Sequence, residues 1–194
     1  MQDFGQANNK EKRVAGVSRT DFGLSVLMAD HDSIRKLAEA LVNELKESGK
    51  AVATAESCTG GWVAKAITDI AGSSAVFGYG IVTYSNGAKE SIVGVQNRTL
   101  DEYGSVSAEV VKEMAKGALG LSGADIAVAV SGVAGPDGGT AAKPVGAVWF
   151  AWAVRDGANA VVDTRLEQFS GDRELVREAS VAYALQGLRE RIAT

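Results

Sequence analysis

Three side chains that can act in catalysis stand next to one another in the first third of the chain. Ser57, Cys58 and Thr59 supply two hydroxyls and a thiol, and the glycines Gly60 and Gly61 follow directly. Hydroxyls and thiols are common enzyme nucleophiles, and glycine lets a ligand approach the backbone closely. The structural alternative is that a hydroxyl only caps the helix that follows. The segment therefore predicts either a nucleophile or a helix cap.

The two glycines favour a functional role for this turn. Each glycine in a first helical turn costs on the order of 1 kcal/mol relative to alanine, which is an unusual choice unless a ligand must meet the backbone. Backbone N–H groups in such a turn point towards anions. We therefore predict that Thr59, Gly60 and Gly61 bind the substrate and that their N–H groups stabilise an oxyanion.

A second candidate loop runs from residue 131 to residue 146 and contains both prolines of the chain. It begins with the hydroxyl of Ser131 and includes Gly135, Gly138 and Gly139, which we predict to contact the substrate, although their composition equally fits a surface turn. Arg173 lies in the first turn of the last helix, where a cation opposes the helix dipole. We predict that Arg173 acts outside its helix, on a phosphate or ribose.

The elements that must position these residues alternate between strands and helices. The chain therefore predicts a three-layer α/β/α sandwich with a mixed, mainly parallel sheet, and ligands bind such sheets at the carboxyl ends of the strands. Runs of apolar residues, or apolar residues at alternate positions, predict strands over 51–56, 78–85 and 124–132 and a hairpin of 147–154 with 160–169. Apolar residues at spacings of three and four predict helices over 33–48, 59–72, 86–94, 108–121 and 170–191.

Composition excludes several classes of protein. The 194 residues carry a net charge of -4, with one cysteine and one histidine. A disulfide framework and a Cys- or His-rich metal site are therefore excluded, and no metal or other cofactor is expected. The charge disfavours nucleic acid as a partner, and the absence of a long apolar run disfavours a membrane. We expect a cytoplasmic protein with a flexible extension over 1–30 and one domain over 31–194.

Three long motifs together resemble a known family. "TAESCTGGWVAKAITDIAGSSAVFGYGIVTYSNGAKESIVGV", "SGVAGPDGGTAAKPVGAVWFAW" and "FSGDRELVREASVAYAL" are similar, in this order, to the CinA C-terminal-domain family of nicotinamide-nucleotide amidases, also called PncC and associated with competence and damage induction. The resemblance covers about 33–192. It implies an α/β/α sandwich, a homodimer, and hydrolysis of nicotinamide mononucleotide to nicotinate mononucleotide and ammonia in pyridine nucleotide recycling.

The resemblance also assigns roles to single residues. Ser57 matches the family's proposed nucleophile, Tyr84 and Lys89 match its active-site tyrosine and lysine, and Ser131 replaces a threonine found in many members. Taken singly, Tyr84 and Lys89 equally fit a strand-end aromatic and an exposed helix charge. No histidine lies near the motifs, so Lys89 can act as the base only if its pKa is lowered, and Tyr84 would relay the proton or orient the lysine.

Two alternatives stay open from the sequence. One is a nucleotide-binding regulatory module that retains the pocket without turnover. The other is a cysteine amidase that uses Cys58, because a thiol is intrinsically the better nucleophile at neutral pH. Adjacent side chains in such a turn point in different directions, and lone cysteines are often buried, so we expect Ser57 to attack.

Overall fold

The computed structural model describes residues 30–192 of the chain. The predicted extension over 1–30 lies outside these residues except for Asp30. The elements, in chain order, are α1 (His31–Ser48), β1 (Val52–Glu56), α2 (Trp62–Thr68), a short 3-10 helix (Ser73–Ala75), β2 (Phe77–Val82), α3 (Asn86–Val93), α4 (Asn97–Tyr103), α5 (Ala108–Ser122), β3 (Ile126–Gly132), β4 (Ala147–Asp156), β5 (Asn159–Gln168) and α6 (Arg173–Glu190).

The five strands form one mixed sheet in the order β2-β1-β3-β4-β5. The β1 strand pairs in parallel with β2 and with β3, whereas β4 is antiparallel to both β3 and β5. Four strands therefore run in one direction and only β4 opposes them. This confirms the predicted mixed, mainly parallel sheet with a terminal hairpin.

The two faces of the sheet carry side chains of very different size, because successive strand residues point to opposite faces. One face presents Val, Ile and aromatic residues to α1, α2 and α6, and the other presents mainly alanines to α3, α4 and α5. Small side chains let α5 pack close to the strands, so the sheet is covered on both faces. The large-residue face includes Val52, Ile126, Val128, Val130, Phe150 and Trp152, and the alanine face includes Ala53, Ala55, Ala127, Ala129, Ala151 and Ala153.

The first helix begins and ends where its sequence predicts. The carboxylate of Asp30 accepts a hydrogen bond from the N–H of Ser33, and the Ser33 hydroxyl accepts one from the Asp30 N–H, which is a capping box. Gly49 ends the helix in the left-handed conformation. Apolar residues between these caps face the sheet, so local signals and packing agree.

Several local predictions were wrong. Strand β2 ends at Val82 and does not run to residue 85, because Ser85 caps α3. Helix α2 ends at Thr68, whose hydroxyl bonds back to Ala64 O and Lys65 O, and does not run to residue 72. Helix α6 begins at Arg173, because Asp172 caps it. Helix α4 was not predicted, since its sequence lacks both a side-chain cap and apolar periodicity. Contacts with Glu113 of α5 hold its start, so tertiary structure produces this helix.

A binding crevice is built into the topology at the carboxyl ends of β1 and β3. The chain leaves β1 towards β2 on one side and leaves β3 towards β4 on the other. Adjacent parallel strands whose connections diverge in this way leave an open crevice where ligands bind. In the part of the chain that the structure describes, no helix combines the length and the apolar character needed to cross a bilayer.

Candidate active site

Ser57 lies at this crevice, one residue beyond β1. Its N–H donates to Val130 O of β3 at 2.9 Å, and the neighbouring Thr83 N–H donates to Glu56 O at 2.8 Å. These bonds continue the strand pairing past the end of β1, so the alternation of faces continues as well. Ser57, Thr83 and Ser131 therefore point to the alanine face, towards α3 and α5.

Lys89 of α3 meets Ser57 on this face. Its Nζ lies 3.2 Å from Ser57 Oγ and donates to Thr83 O at 2.8 Å. The side chain is 1% exposed. Helix α3 places it there because Ser85 caps the helix and positions Lys89 one turn later. A hydroxyl and an amine at this separation can exchange a proton.

Burial lowers the pKa of Lys89 below the ordinary value of 10.5. A thiolate at Cys58 would oppose this shift, but burial raises the pKa of that thiol to about 12, so it stays neutral at physiological pH. The hydrogen-bond partners of the amine are the neutral oxygens of Ser57 and Thr83. Burial thus favours the uncharged amine more than water does, and this is the form that can accept a proton.

Cys58 is buried in the large-residue core, on the other side of the turn from Ser57. Its raised pKa keeps the sulfur in the unreactive thiol form, because the thiolate is the nucleophile. The expectation that the serine and not the cysteine faces the site agrees with this burial.

Glu56 is a buried charge that sequence reasoning missed. Its carboxylate accepts hydrogen bonds from the N–H groups of Gly61, Val63 and Ala64, at 3.0, 3.0 and 2.8 Å, and from Thr54 Oγ1 at 3.2 Å. It therefore caps α2 from the end of β1 and stabilises the turn between them. A glutamate at the end of an apolar run was the available signal.

This cap corrects one predicted role of the turn. The N–H of Gly61 donates to Glu56, and the N–H of Gly60 donates to Ser57 O at 3.0 Å. Neither group is free to bind an oxyanion. The glycines are instead needed for backbone shape, because both have positive φ values, 64° and 94°.

Arg177 of α6 contacts the same turn from behind. Its guanidinium donates to Cys58 O at 3.2 Å and to Thr59 O at 2.9 Å, and it lies 5.2 Å from the centre of the Trp62 ring. No sequence signal points to this residue, since its partners lie 118 and 119 residues away.

Two threonine hydroxyls beside Ser57 and Lys89 are buried without partners. Thr59 Oγ1 and Thr83 Oγ1 are fully enclosed and make no hydrogen bond to any residue in the range 30–192. Buried polar groups are nearly always satisfied. Thr83 also binds the amine of Lys89 through its carbonyl, and an unsatisfied group beside a lysine of lowered pKa is typical of a site rather than of a packed core.

Tyr84 and Arg173 form a second polar group beyond β2. The Arg173 guanidinium donates to Tyr84 OH at 3.1 Å and to Gly135 O at 2.8 Å, and Tyr84 is 61% exposed. Arg173 thus acts outside its own helix, as its position in the sequence predicts. No hydrogen bond within the described residues joins Tyr84 to Lys89 or Ser57, so the orientation of the lysine comes from Thr83 O instead.

Only part of the loop after β3 contacts the residues of the candidate site. The Ser131 hydroxyl donates to Ser105 O at 2.7 Å, so its proton is used within the fold. Gly135 reaches Arg173 through its carbonyl and is followed by a cis bond to Pro136. Gly138 and Gly139 are exposed.

His31 and a large groove lie on the opposite face of the sheet. The groove, of about 980 Å³, is bordered by His31, Trp62 and Arg177 and includes neither Ser57 nor Lys89. His31 Nε2 lies 3.5 Å from Glu178 Oε1. With Glu174 these residues are close enough to approach one metal ion, but two of the three are exposed, as acidic groups without an ion commonly are. The reactive groups therefore define the site, and the groove does not.

The chain belongs to the family described as the CinA C-terminal domain, whose family model matches residues 34–192. A protein named nicotinamide-nucleotide amidohydrolase PncC from Escherichia coli K12 is 57% identical over 155 residues, which cover 80% of this chain and 92% of that protein. One of the same name from Pseudomonas putida is 53% identical over 157 residues, covering 81% and 96%.

Longer relatives and solved structures agree with this assignment. A CinA-like protein of Geobacter sulfurreducens is 46% identical over 169 residues, 87% of this chain but 40% of that protein. The crystal structure of a competence/damage inducible protein from Agrobacterium tumefaciens superposes with a TM-score of 0.79 at 44% identity, covering 84% of this chain and 96% of that one.

Proposed function

We propose that this protein hydrolyses the carboxamide of nicotinamide mononucleotide to nicotinate mononucleotide and ammonia, with Ser57 as the nucleophile and Lys89 as the base. The observation that carries the proposal is the contact of 3.2 Å between Ser57 Oγ and a buried lysine of lowered pKa. The relatives named nicotinamide-nucleotide amidohydrolase, which match most of the chain, support the choice of substrate.

Lys89 relays two protons in the reaction, one while the acyl-enzyme forms and one while it is hydrolysed. The neutral amine accepts the Ser57 proton as Oγ attacks the carboxamide carbon, and it returns that proton to the departing nitrogen, which leaves as ammonia. A water then attacks the acyl-enzyme ester while Lys89 takes its proton. The protonated lysine passes this proton to Ser57 Oγ as the ester breaks, and the acid product leaves.

The oxyanion of each tetrahedral intermediate needs donors other than Gly60 and Gly61. We assign this role to the N–H groups of Cys58 and Thr59, which donate to no oxygen among residues 30–192 and have only the Cys58 sulfur, a weak acceptor, beside them. The N–H of the residue after a nucleophile is a frequent oxyanion donor. The enclosed hydroxyls of Thr59 and Thr83 supply further polarity beside the reacting groups.

Tyr84 and Arg173 belong to substrate recognition in this proposal. Arg173 forms no ion pair with a carboxylate in the described part of the chain, and a guanidinium suits a phosphate. The exposed Tyr84 ring beside it suits the ribose or the pyridine ring. Gly135 orients the arginine through its carbonyl, and the exposed Gly138 and Gly139 of the same loop stay predicted substrate contacts.

The decisive experiment is incubation of the purified protein with nicotinamide mononucleotide, followed by assay of ammonia and nicotinate mononucleotide. Equal amounts of both products are expected. Saturable binding of the nucleotide without ammonia release would contradict the proposal and support the regulatory module instead. A homodimer and a cytoplasmic location stay predictions, which sedimentation and cell fractionation check.

A further inference from the structure

We infer that Arg177 is a positioning residue for the reaction, which holds the turn of Ser57 in its working shape through two backbone carbonyls. It does not touch the reacting atoms. The inference rests on the proposed function, because it assigns Arg177 to the same nucleophile and oxyanion donors. The observations that carry it are the hydrogen bonds to Cys58 O and Thr59 O.

The two hydrogen bonds determine how the peptide planes of the turn are oriented. A trans peptide places its C=O and N–H on opposite sides, and the only cis bond among the described residues is Gly135–Pro136. When Arg177 holds the carbonyls of Cys58 and Thr59 towards α6, the N–H groups of Thr59 and Gly60 must point away from α6. The Gly60 N–H then meets Ser57 O, and the Thr59 N–H is left without an oxygen acceptor.

The turn needs such a partner because its own backbone is flexible. Gly60 and Gly61 are the most flexible residues that a backbone can contain, and Gly60 has no side chain to pack. Glu56 fixes the turn only from Gly61 onwards, through N–H groups. Arg177 supplies the complementary contact, to the carbonyls of the residues that directly follow the nucleophile.

Arg177 is itself held in place. Its guanidinium carbon lies 5.2 Å from the Trp62 ring centre, a cation–π distance. The guanidinium also lies close to the Gly60 backbone, since a Cβ added at Gly60 would be 3.5 Å from Arg177 Nη2. The planar guanidinium presents parallel N–H groups that a lysine ammonium lacks. Arginine can therefore hold both carbonyls in one fixed geometry, whereas the rotatable donors of a lysine ammonium do not fix it.

The test compares Arg177→Gln and Arg177→Lys with Arg189→Gln. Arg189 is a second arginine of α6, bonded to Glu44 of α1 and remote from the turn, so its loss controls for a general loss of stability. For Arg177→Gln we expect kcat to fall by about 10²-fold, since small misplacements of reacting groups cost this much. KM should change less than about threefold, because substrate contacts are retained.

Two further readouts separate positioning from a structural role. Arg177→Lys should recover about a tenth of wild-type kcat, since one carbonyl can still be bound. Added guanidinium ion, at a concentration too low to unfold the protein, should raise the kcat of Arg177→Gln and leave that of Arg189→Gln unchanged. A fall in kcat no larger than that of Arg189→Gln, or a raised KM at unchanged kcat, would overturn the inference.

The rate at which a small fluorophosphonate labels Ser57 tests Arg177 without any nucleotide. We expect labelling of Arg177→Gln to be slowed by at least about tenfold, because the turn that carries Ser57 is misplaced. Normal labelling of the wild type without ammonia release would contradict the proposed function alone. Equal labelling of the wild type and Arg177→Gln would contradict the role of Arg177 alone.

Discussion

Two clusters of buried polar residues lie on opposite faces of the sheet at the carboxyl end of β1. They differ in how completely their hydrogen-bonding atoms are satisfied. In the Glu56 cluster, formed by Glu56 and its four donors, both carboxylate oxygens accept hydrogen bonds. The Ser57 cluster, formed by Ser57, Lys89, Thr59 and Thr83, contains a lysine of lowered pKa and two unpartnered hydroxyls. Adjacent residues of one strand thus belong to opposite environments.

On the proposed function, the difference separates a cluster that stabilises the fold from a cluster that performs the chemistry. A satisfied buried charge rigidifies its surroundings, here the start of α2. Unsatisfied buried groups cost stability and persist where function requires them. Substitutions in the Glu56 cluster should therefore lower stability, and those in the Ser57 cluster should lower activity while stability changes little.

The largest expected effect is that of Ser57→Ala on ammonia release from nicotinamide mononucleotide. Loss of the nucleophile should lower kcat by about 10⁴-fold or more, while the free energy of unfolding changes by less than about 0.5 kcal/mol, as for other sites that are not fully buried. Steady-state kinetics and urea denaturation measure the two quantities.

The matched control is Cys58→Ala, one residue along. Cys58 is buried with its pKa raised to about 12, so this variant should keep most activity at a cost of about 1 kcal/mol for the small cavity. The reverse ranking, together with inactivation by iodoacetamide that substrate prevents, would identify a thiol amidase.

The next effect in size is that of Lys89→Met. Loss of a general base should lower kcat by about 10²–10⁴-fold, with KM nearly unchanged, because proton transfer acts in the transition state. Measurement of kcat and KM separates a loss of proton transfer from a loss of substrate binding. If kcat stayed close to that of the wild type and KM rose, Lys89 would be a binding residue.

Glu56→Gln tests the other half of the comparison. The amide cannot accept all the hydrogen bonds that the carboxylate accepts, so the free energy of unfolding should fall by about 2–3 kcal/mol, the cost of leaving buried groups unpaired. Thermal unfolding monitored by circular dichroism gives the value. An unchanged stability would mean that the cap on α2 contributes little and that the two clusters do not differ as described.

A smaller effect is expected in the pH dependence of stability. The folded-state pKa of Lys89 lies below its unfolded value of about 10.5, so between the two values the unfolded state binds more protons and stability rises with pH. Relative to the wild type, Lys89→Met should therefore be more stable near neutral pH than near pH 10.5. Unfolding of both proteins across this range measures the difference, and a constant difference would exclude the lowered pKa.

The smallest expected effect is that of a chelator. The proposed reaction uses only Ser57, Lys89 and backbone groups, so EDTA should leave kcat unchanged. Kinetics before and after dialysis against EDTA provide the measurement. Activity lost on chelation and restored by zinc would contradict the mechanism and direct attention to His31, Glu174 and Glu178.

The sequence by itself determined the approximate positions of the strands and of most helices, and it singled out the turn of Ser57. Caps, glycines and apolar periodicity act over a few residues, which is why α1, α3, α5 and the terminal hairpin follow from local signals. The family motifs add the pairing of Ser57 with Lys89, which the structure places 3.2 Å apart.

Only the tertiary structure decided which polar groups are satisfied. Glu56 accepts the hydrogen bond of the Gly61 N–H, a group that the sequence alone assigns to a ligand, and Tyr84 bonds to Arg173 and not to Lys89. Arg177 reaches its carbonyls across 118 residues of chain. Hydrogen bonding and desolvation depend on distances in space, and a pattern along the chain does not contain those distances.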